Sequence, residues 1–224
     1  MTKPILLVLA LLGCAGQALA LDRTQLDDRI RLLTAKFEAL QRSPDQRVPA
    51  DLLRQARGVV LLDRFKAGFL FAFQGGGGVA LVRDKSGHWS PAAFLTANEA
   101  SLGFQVGGER NFCVILLMTT RATEALTGST SNFGGEARGT AGNQSSGVEG
   151  KFTDSGQAAL IFEDRNGFYG GVSIKGGTLS PDNRANEIYY GRYVSVRDIL
   201  FGRKVASTPA EIELARQLSA FSKE

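Results

Sequence analysis

The sequence predicts a single α+β domain, in which a mostly antiparallel, strongly twisted or barrel-like sheet is flanked by N-terminal, middle and C-terminal helices. Three observations carry that expectation. Apolar residues recur at helical spacing before residue 43, the pattern changes to short strand-length runs from Gly58, and proline-led helix starts return after residue 180. Glycine adds weight to the middle section. It accounts for 27 of the 224 residues, against a usual share of about 7%. Most of it lies between Gly68 and Gly191, in short groups beside β-branched and aromatic residues, which predicts a sheet with many tight turns. Hydrophobic residues make up 43% and charged residues 21%, enough apolar material for one sizeable core and too much for a disordered chain.

The first element is not part of the fold. Lys3 gives residues 1–20 a positive start, Ile5 to Leu12 form an apolar stretch, and Ala18-Leu19-Ala20 is a small-residue cleavage signal. These features predict a signal peptide and an exported protein, periplasmic or held in the cell envelope. The apolar stretch is shorter than the ~20 residues a permanent spanning helix needs. Leu11-Leu12-Gly13-Cys14 resembles a lipobox, so lipidation at Cys14 stands beside cleavage after Ala20. Cleavage removes Lys3 and no acid, taking the formal charge from +4 to +3. That balance is too mild to argue for a nucleic-acid partner.

Residues 21–47 predict an N-terminal amphipathic helix. Leu26, Ile30, Leu33, Phe37 and Leu40 recur at steps of four and three, opposite a face that mixes arginines and Lys36 with Asp22, Asp27, Asp28 and Glu38. A purely membrane-seeking helix usually lacks so many acids, so packing of the stripe on its own domain is the competing expectation. Ser43-Pro44-Asp45 ends it, and Pro49 opens a second short helix through Arg57. Residues 48–224 then form the domain proper.

Strand-length runs follow at Val59 to Leu62, Phe69 to Phe73, Val79 to Arg83, Ala92 to Leu95, Phe112 to Met118, Ala158 to Phe162 and Phe168 to Ile174. Several are apolar on both faces and predict burial within a layered core. Gly75 to Gly78 is expected to be a flexible hairpin, because a phosphate cradle needs a following helix and an apolar strand follows instead. Asp84-Lys85-Ser86-Gly87 predicts a second turn before Trp89. A short helix is expected over Arg121 to Leu126, and a Gly/Ser-rich hairpin or loop over Gly139 to Gly150. Ser180-Pro181-Asp182 predicts a helix start with Ser180 as cap, and Tyr190-Gly191 its stop. Thr208-Pro209-Ala210-Glu211 is a capping box for a last helix presenting Leu214, Leu218 and Phe221.

Catalytic groupings are sparse. His88 is the single histidine, so a multi-histidine metal centre is excluded and a histidine-based triad has one place to form. Once residues 1–20 are removed the lone thiol is Cys113, within an apolar run that predicts a buried small side chain. No EF-hand spacing or selected carboxylate pair is present. The expectation is a protein that is not an enzyme and has no metal or cofactor.

Basic charge is the remaining signal. Arg54, Arg57, Arg64 and Lys66 fall close together with Asp63 as their one acidic companion, and Arg192, Arg197, Arg203 and Lys204 form a second group. Each cation that reaches an anionic bilayer contributes about 1 kcal/mol, provided the group shares a surface.

The order of several motifs resembles the SYLF domain family. They are Ala56-Arg57-Gly58-Val59-Val60-Leu61-Leu62, Lys66-Ala67-Gly68-Phe69, Gly78-Val79-Ala80-Leu81-Val82-Arg83 and Gly87-His88-Trp89-Ser90-Pro91-Ala92. Further on come Gly103-Phe104-Gln105-Val106-Gly107, Gly167 to Ser173, and Ser180-Pro181-Asp182 with Ala185-Asn186-Glu187 and Tyr189-Tyr190-Gly191. The similarity spans Val48 to Phe201. It implies membrane lipid binding, with phosphoinositides as ligands of eukaryotic members, an N-terminal amphipathic helix among the implicated elements, and actin binding by some fungal relatives. Here the helix from Leu26 to Leu40 and the lipid-binding candidates Arg54, Arg57, Arg64 and Lys66 are the positions that could take that part. An exported protein without an appended SH3 or FYVE module meets neither actin nor phosphoinositides, so the expected partner is generic anionic phospholipid of the envelope. A non-catalytic envelope scaffold or protein-interaction domain is the alternative.

Overall fold

The structure is a computed structural model and describes residues 21–68, 72–101, 107–129, 131–133, 149–152, 157–164 and 177–223. Residues 1–20 with Cys14, most of the Gly139 to Gly150 stretch and the expected strand at Phe168 to Ile174 lie outside the described residues.

Helix α1 (Arg23–Arg42) starts at a capping box. The Asp22 carboxylate accepts the Gln25 N–H at 2.8 Å, and the Gln25 side chain accepts the Asp22 N–H in return. Helix α2 (Ala50–Gln55) follows Pro49. Four long strands come next, β1 (Gly58–Gly68), β2 (Ala72–Val82), β3 (Ala93–Ser101) and β4 (Gly107–Leu117), then helix α3 (Thr120–Ala125). Strands β5 (Ser131–Phe133), β6 (Glu149–Phe152), β7 (Gln157–Asp164) and β8 (Gly177–Pro181) precede helices α4 (Asn183–Tyr190), α5 (Val196–Leu200) and α6 (Pro209–Phe221). The described strands form one sheet in the order β5-β8-β3-β2-β1-β4-β7-β6, and its ladders are antiparallel. The end strands β5 and β6 lie against each other, so the sheet is curled rather than flat.

Both faces of the sheet are buried, as the doubly apolar runs predicted. Val59, Leu61, Val79, Leu81, Phe94, Val114 and Leu116 face the helical layer of α1, α4 and α6. Their sequence neighbours Val60, Leu62, Ala80, Leu95, Ile115 and Leu117 point the other way, onto Ala122 of α3 and Val196 and Ile199 of α5. Cys113 is buried in that second layer. The α1 stripe of Leu26, Ile30, Leu33, Phe37 and Leu40 is sealed against the first, at 0–2% exposure. Each such side chain contributes about 1.5–3 kcal/mol of transfer energy.

A buried polar network fastens the helical layer to β3. Glu211 of α6 is 1% exposed. One of its carboxylate oxygens accepts both the Ala92 N–H at 2.7 Å and the Tyr190 hydroxyl at 2.6 Å, and the other accepts the Thr208 N–H. The Asn186 amide of α4 accepts the Phe94 N–H at 2.8 Å and donates to the Phe94 carbonyl at 3.1 Å, as a neighbouring strand would. Tyr189 donates to Asp27 of α1 and bonds to Thr208. These bonds satisfy groups that burial would otherwise penalise by about 1–3 kcal/mol each.

Three sequence expectations change. Gly75 to Gly78 is not a hairpin turn but the middle of β2, paired with Phe65 to Leu62 of β1. The reason is steric: a Cβ at Gly78 would lie 2.0 Å from the Leu61 carbonyl oxygen, and one at Gly76 would lie 2.6 Å from that of Asp63. Glycine here permits close strand approach in a coiled sheet rather than a turn. Of the run read as a strand from Phe69 to Phe73, Ala72 and Phe73 belong to β2, where Ala72 pairs with Gly68 of β1, and the rest lies outside the described residues. Helix α4 begins two residues later than expected: Ser180 and Pro181 close β8, and Asp182 is the cap, accepting the Ala185 N–H at 2.9 Å. Strands β5, β6 and β8 and helix α5 are elements that the sequence expectations did not include. Gly191 does end α4, in the left-handed conformation at φ 67°.

Candidate functional site

The four cations singled out in the sequence do not share one surface. Arg64 sits in β1, opposite Gly76 of β2 and Asn111 of β4, and is 5% exposed. It has the same strand parity as Val60 and Leu62, which turns it inward. Lys66 lies two residues further along, opposite Gln74 and Glu109, and its side chain lies outside the described residues. Seven strand residues, about 23 Å, separate Arg64 from Arg57.

Arg54 and Arg57 are brought together, with a third arginine that the sequence reading assigned only to a strand end. Arg54 closes α2 and Arg57 leads into β1. The Arg57 N–H donates to the Leu117 carbonyl at the end of β4, and its carbonyl accepts the Arg83 N–H just past β2, each at 2.7 Å. Arg83 therefore stands beside Arg57 because β1 and β2 pair antiparallel from Gly58 and Val82. That register was the signal that could have found it. Together with Gln55, Asp84 and Met118 the three arginines line an open notch of about 480 Å³.

Arg83 is held rigidly. Its guanidinium stacks over Trp89 at 4.3 Å from the ring centroid and donates to the Arg54 carbonyl at 2.8 Å, while its Nε is buried without a partner. Burial draws its pKa below the ordinary arginine value, yet the group stays cationic at neutral pH. The notch has one lining carboxylate, Asp84, and it is already engaged. Asp84 accepts the backbone N–H groups of Ser86 and His88 at 2.9 Å each and pairs with Arg203 at 2.8 Å. The His88 amide, followed by Arg203 and the Ser86 amide, holds its carboxyl below the usual range. Among the described residues no carboxylate pairs with Arg54 or Arg57. Arg54 itself reaches the Ser222 carbonyl at 3.5 Å, so the notch is lined by three arginines, two of them anchored on backbone carbonyls, and its net positive charge suits phosphate or carboxylate oxygens.

Other candidates resolve differently. On α1, Arg31 pairs with Asp27, Arg42 with Glu38, and Lys36 with Asp63 at 2.7 Å. With its stripe in the core and these cations paired, α1 is a structural helix and not a free amphipathic one. The stripe's use as a membrane element is corrected accordingly. A groove of about 410 Å³ beside α1 mixes Asp28 and Asp63 with Arg29 and Leu32 and has no single charge character. His88 is 75% exposed, with Nδ1 3.8 Å from Asp84. Among the described residues no three His, Cys, Asp or Glu side chains are grouped to hold a metal, and no helix is long and apolar enough to cross a membrane.

Residues 98–221 match the family model described as "Ysc84: Las17-binding protein actin regulator". SH3 domain-containing YSC84-like protein 1 of Bos taurus is 31% identical over 181 residues, covering 80% of this chain and 53% of that protein, and the Homo sapiens protein gives the same figures. LAS seventeen-binding protein 3 of Saccharomyces cerevisiae is 32% identical over 180 residues, 79% of this chain and 39% of that protein. The chain therefore spans about half or less of the length of these relatives. No solved structure gives a significant match.

Proposed function

The chain belongs to the Ysc84 (SYLF) family, and from that premise we propose that it is a non-catalytic module that binds a membrane surface by taking anionic phospholipid head groups into the Arg54, Arg57 and Arg83 notch. The observation that carries the reading is that three arginines line one notch whose one lining carboxylate is engaged by Arg203. With about 1 kcal/mol from each cation near an anionic surface, the notch supplies weak attachment that salt weakens. The segment at residues 1–20 supports export, which makes phospholipids of the cell envelope the lipids within reach. The family description and the yeast relative's name point to protein partners for those proteins. A protein-binding scaffold role is therefore the second reading.

Co-sedimentation of the purified protein with phosphatidylglycerol and phosphatidylcholine vesicles tests the proposal. Binding is expected to the anionic vesicles only, to fall as salt rises, and to be lost in Arg54→Glu/Arg57→Glu. Reversal of the α1 surface pair by Arg31→Glu is expected to leave it unchanged. Absence of binding at low salt, or equal binding by the notch variant, refutes the reading. A protein partner captured equally by wild type and notch variant favours the scaffold.

A further inference from the structure

Helix α5 and its flanks carry two exposed aromatic rings that the notch does not use. Tyr193 is 72% exposed and Phe201 38% exposed, while Val194, Val196, Ile199 and Leu200 between them are buried. Those four fill the core positions of the segment, so the two rings have no inward place to go. The Arg192 guanidinium donates to the Lys204 carbonyl, tying the two flanks of α5 together. The same segment carries four cations, Arg192, Arg197, Arg203 and Lys204. Arg197 donates to the Thr127 hydroxyl, Lys204 pairs with Asp198 at 2.8 Å and Arg203 with Asp84 at 2.8 Å. Four cations against those two carboxylates leave a surplus of two positive charges.

This segment adjoins the notch. Arg203 donates to the His88 carbonyl and pairs with Asp84, so the chain leaving α5 is fastened to the hairpin that forms one wall of the arginine notch. Resting on the membrane-binding reading, we infer that Tyr193 and Phe201 are an interfacial anchor that inserts among the head groups of an anionic bilayer while the neighbouring notch holds a phosphate. The charge surplus selects an anionic surface. Amphipathic rings settle at head-group depth, where a phenol hydroxyl stays wet and the ring body is buried. A side chain as exposed as Tyr193 stands out from the fold rather than lining a cleft, which suits a bilayer better than a peptide.

The anchor and the notch make separable contributions, because salt screens the charges and not the rings. In vesicle co-sedimentation at high salt, Tyr193→Ser/Phe201→Ser is expected to bind phosphatidylglycerol vesicles about tenfold more weakly than wild type, with an unchanged circular dichroism spectrum. Tyr193→Trp provides a second readout: its added fluorescence is expected to be quenched by brominated acyl chains, over the Trp89 background. Failure of the wild type to bind any anionic vesicle overturns the membrane reading and the anchor together. Wild-type binding that the double variant retains in full at high salt, with no quenching of the Trp variant, overturns the anchor alone. So does a protein partner whose capture requires the two rings while vesicle binding does not.

Discussion

Replacing Gly78 by alanine is expected to cost far more than the same change at Gly77, although both lie in one uninterrupted run of glycines. The Cβ added at Gly78 would sit 2.0 Å from the Leu61 carbonyl oxygen and 2.6 Å from a Leu62 methyl, so a wedge of backbone against backbone has to open by more than about 1 Å. Strand β1 cannot retreat, since it is laddered to β4 along its other edge and carries the helical layer on one face. The expected destabilisation is about 3 kcal/mol or more, which in a domain of this size lowers Tm by about 6–12 °C. At Gly77 the nearest atom is the tip of the Arg29 side chain at 3.1 Å, which can swing aside. The change there is expected to stay within about 1 kcal/mol and can be favourable, because alanine restricts the unfolded chain more than glycine does. Urea denaturation followed by circular dichroism measures both. Equal effects at the two positions would falsify the account of the glycine run as a strand of close approach and return it to a flexible turn.

Glu211→Ala leaves the Ala92 and Thr208 amides without their acceptor and leaves the Tyr190 hydroxyl only the Ala92 carbonyl, and is expected to cost about 3 kcal/mol in urea unfolding, with Glu211→Gln recovering part of it. Asp84→Asn removes the notch's one negative charge and frees Arg203, so binding to phosphatidylglycerol vesicles at low salt is expected to strengthen several-fold in a titration; weaker binding by a folded variant refutes the electrostatic account. Phe37→Ala, in the α1 stripe, is expected to lower stability by about 3–5 kcal/mol while the protein that remains folded binds vesicles as before, the reverse of what a membrane-inserting helix gives. Burial, with Glu211 next in weight for Tyr190 and the Thr208 bond opposing it for Tyr189, raises both phenol pKa values well above 10. Above pH 10 the unfolded chain therefore releases protons that the folded one keeps, and stability is expected to fall with rising pH from about 10 upward. Spectroscopic titration should show phenolate absorbance from these two residues rising together with the loss of folded ellipticity; gradual ionisation within the folded protein contradicts it.

Local chemistry made most of the helices legible in the sequence, with α5 and the start of α4 the exceptions. The α1 stripe, the Thr208–Glu211 capping box, the Tyr190-Gly191 stop and the Asp84 turn each depend on residues within a few positions of one another, so a linear reading reaches them. Burial of both strand faces was legible for the same reason, because successive residues of runs such as Val59 to Leu62 and Val114 to Leu117 are apolar. Tertiary structure decided what lies across the chain. Glu211 could be read as a cap, but its bond to Ala92, 119 residues away, exists only once α6 docks on β3. Arg57 and Arg83 meet through the β1–β2 register, whereas Arg64, close to Arg57 in sequence, is carried inward by strand parity and away from it by strand length. The glycine run has the composition of a turn and the place of a strand, because the distance of β1 from β2, and not any property of four glycines, fixes where a side chain is forbidden.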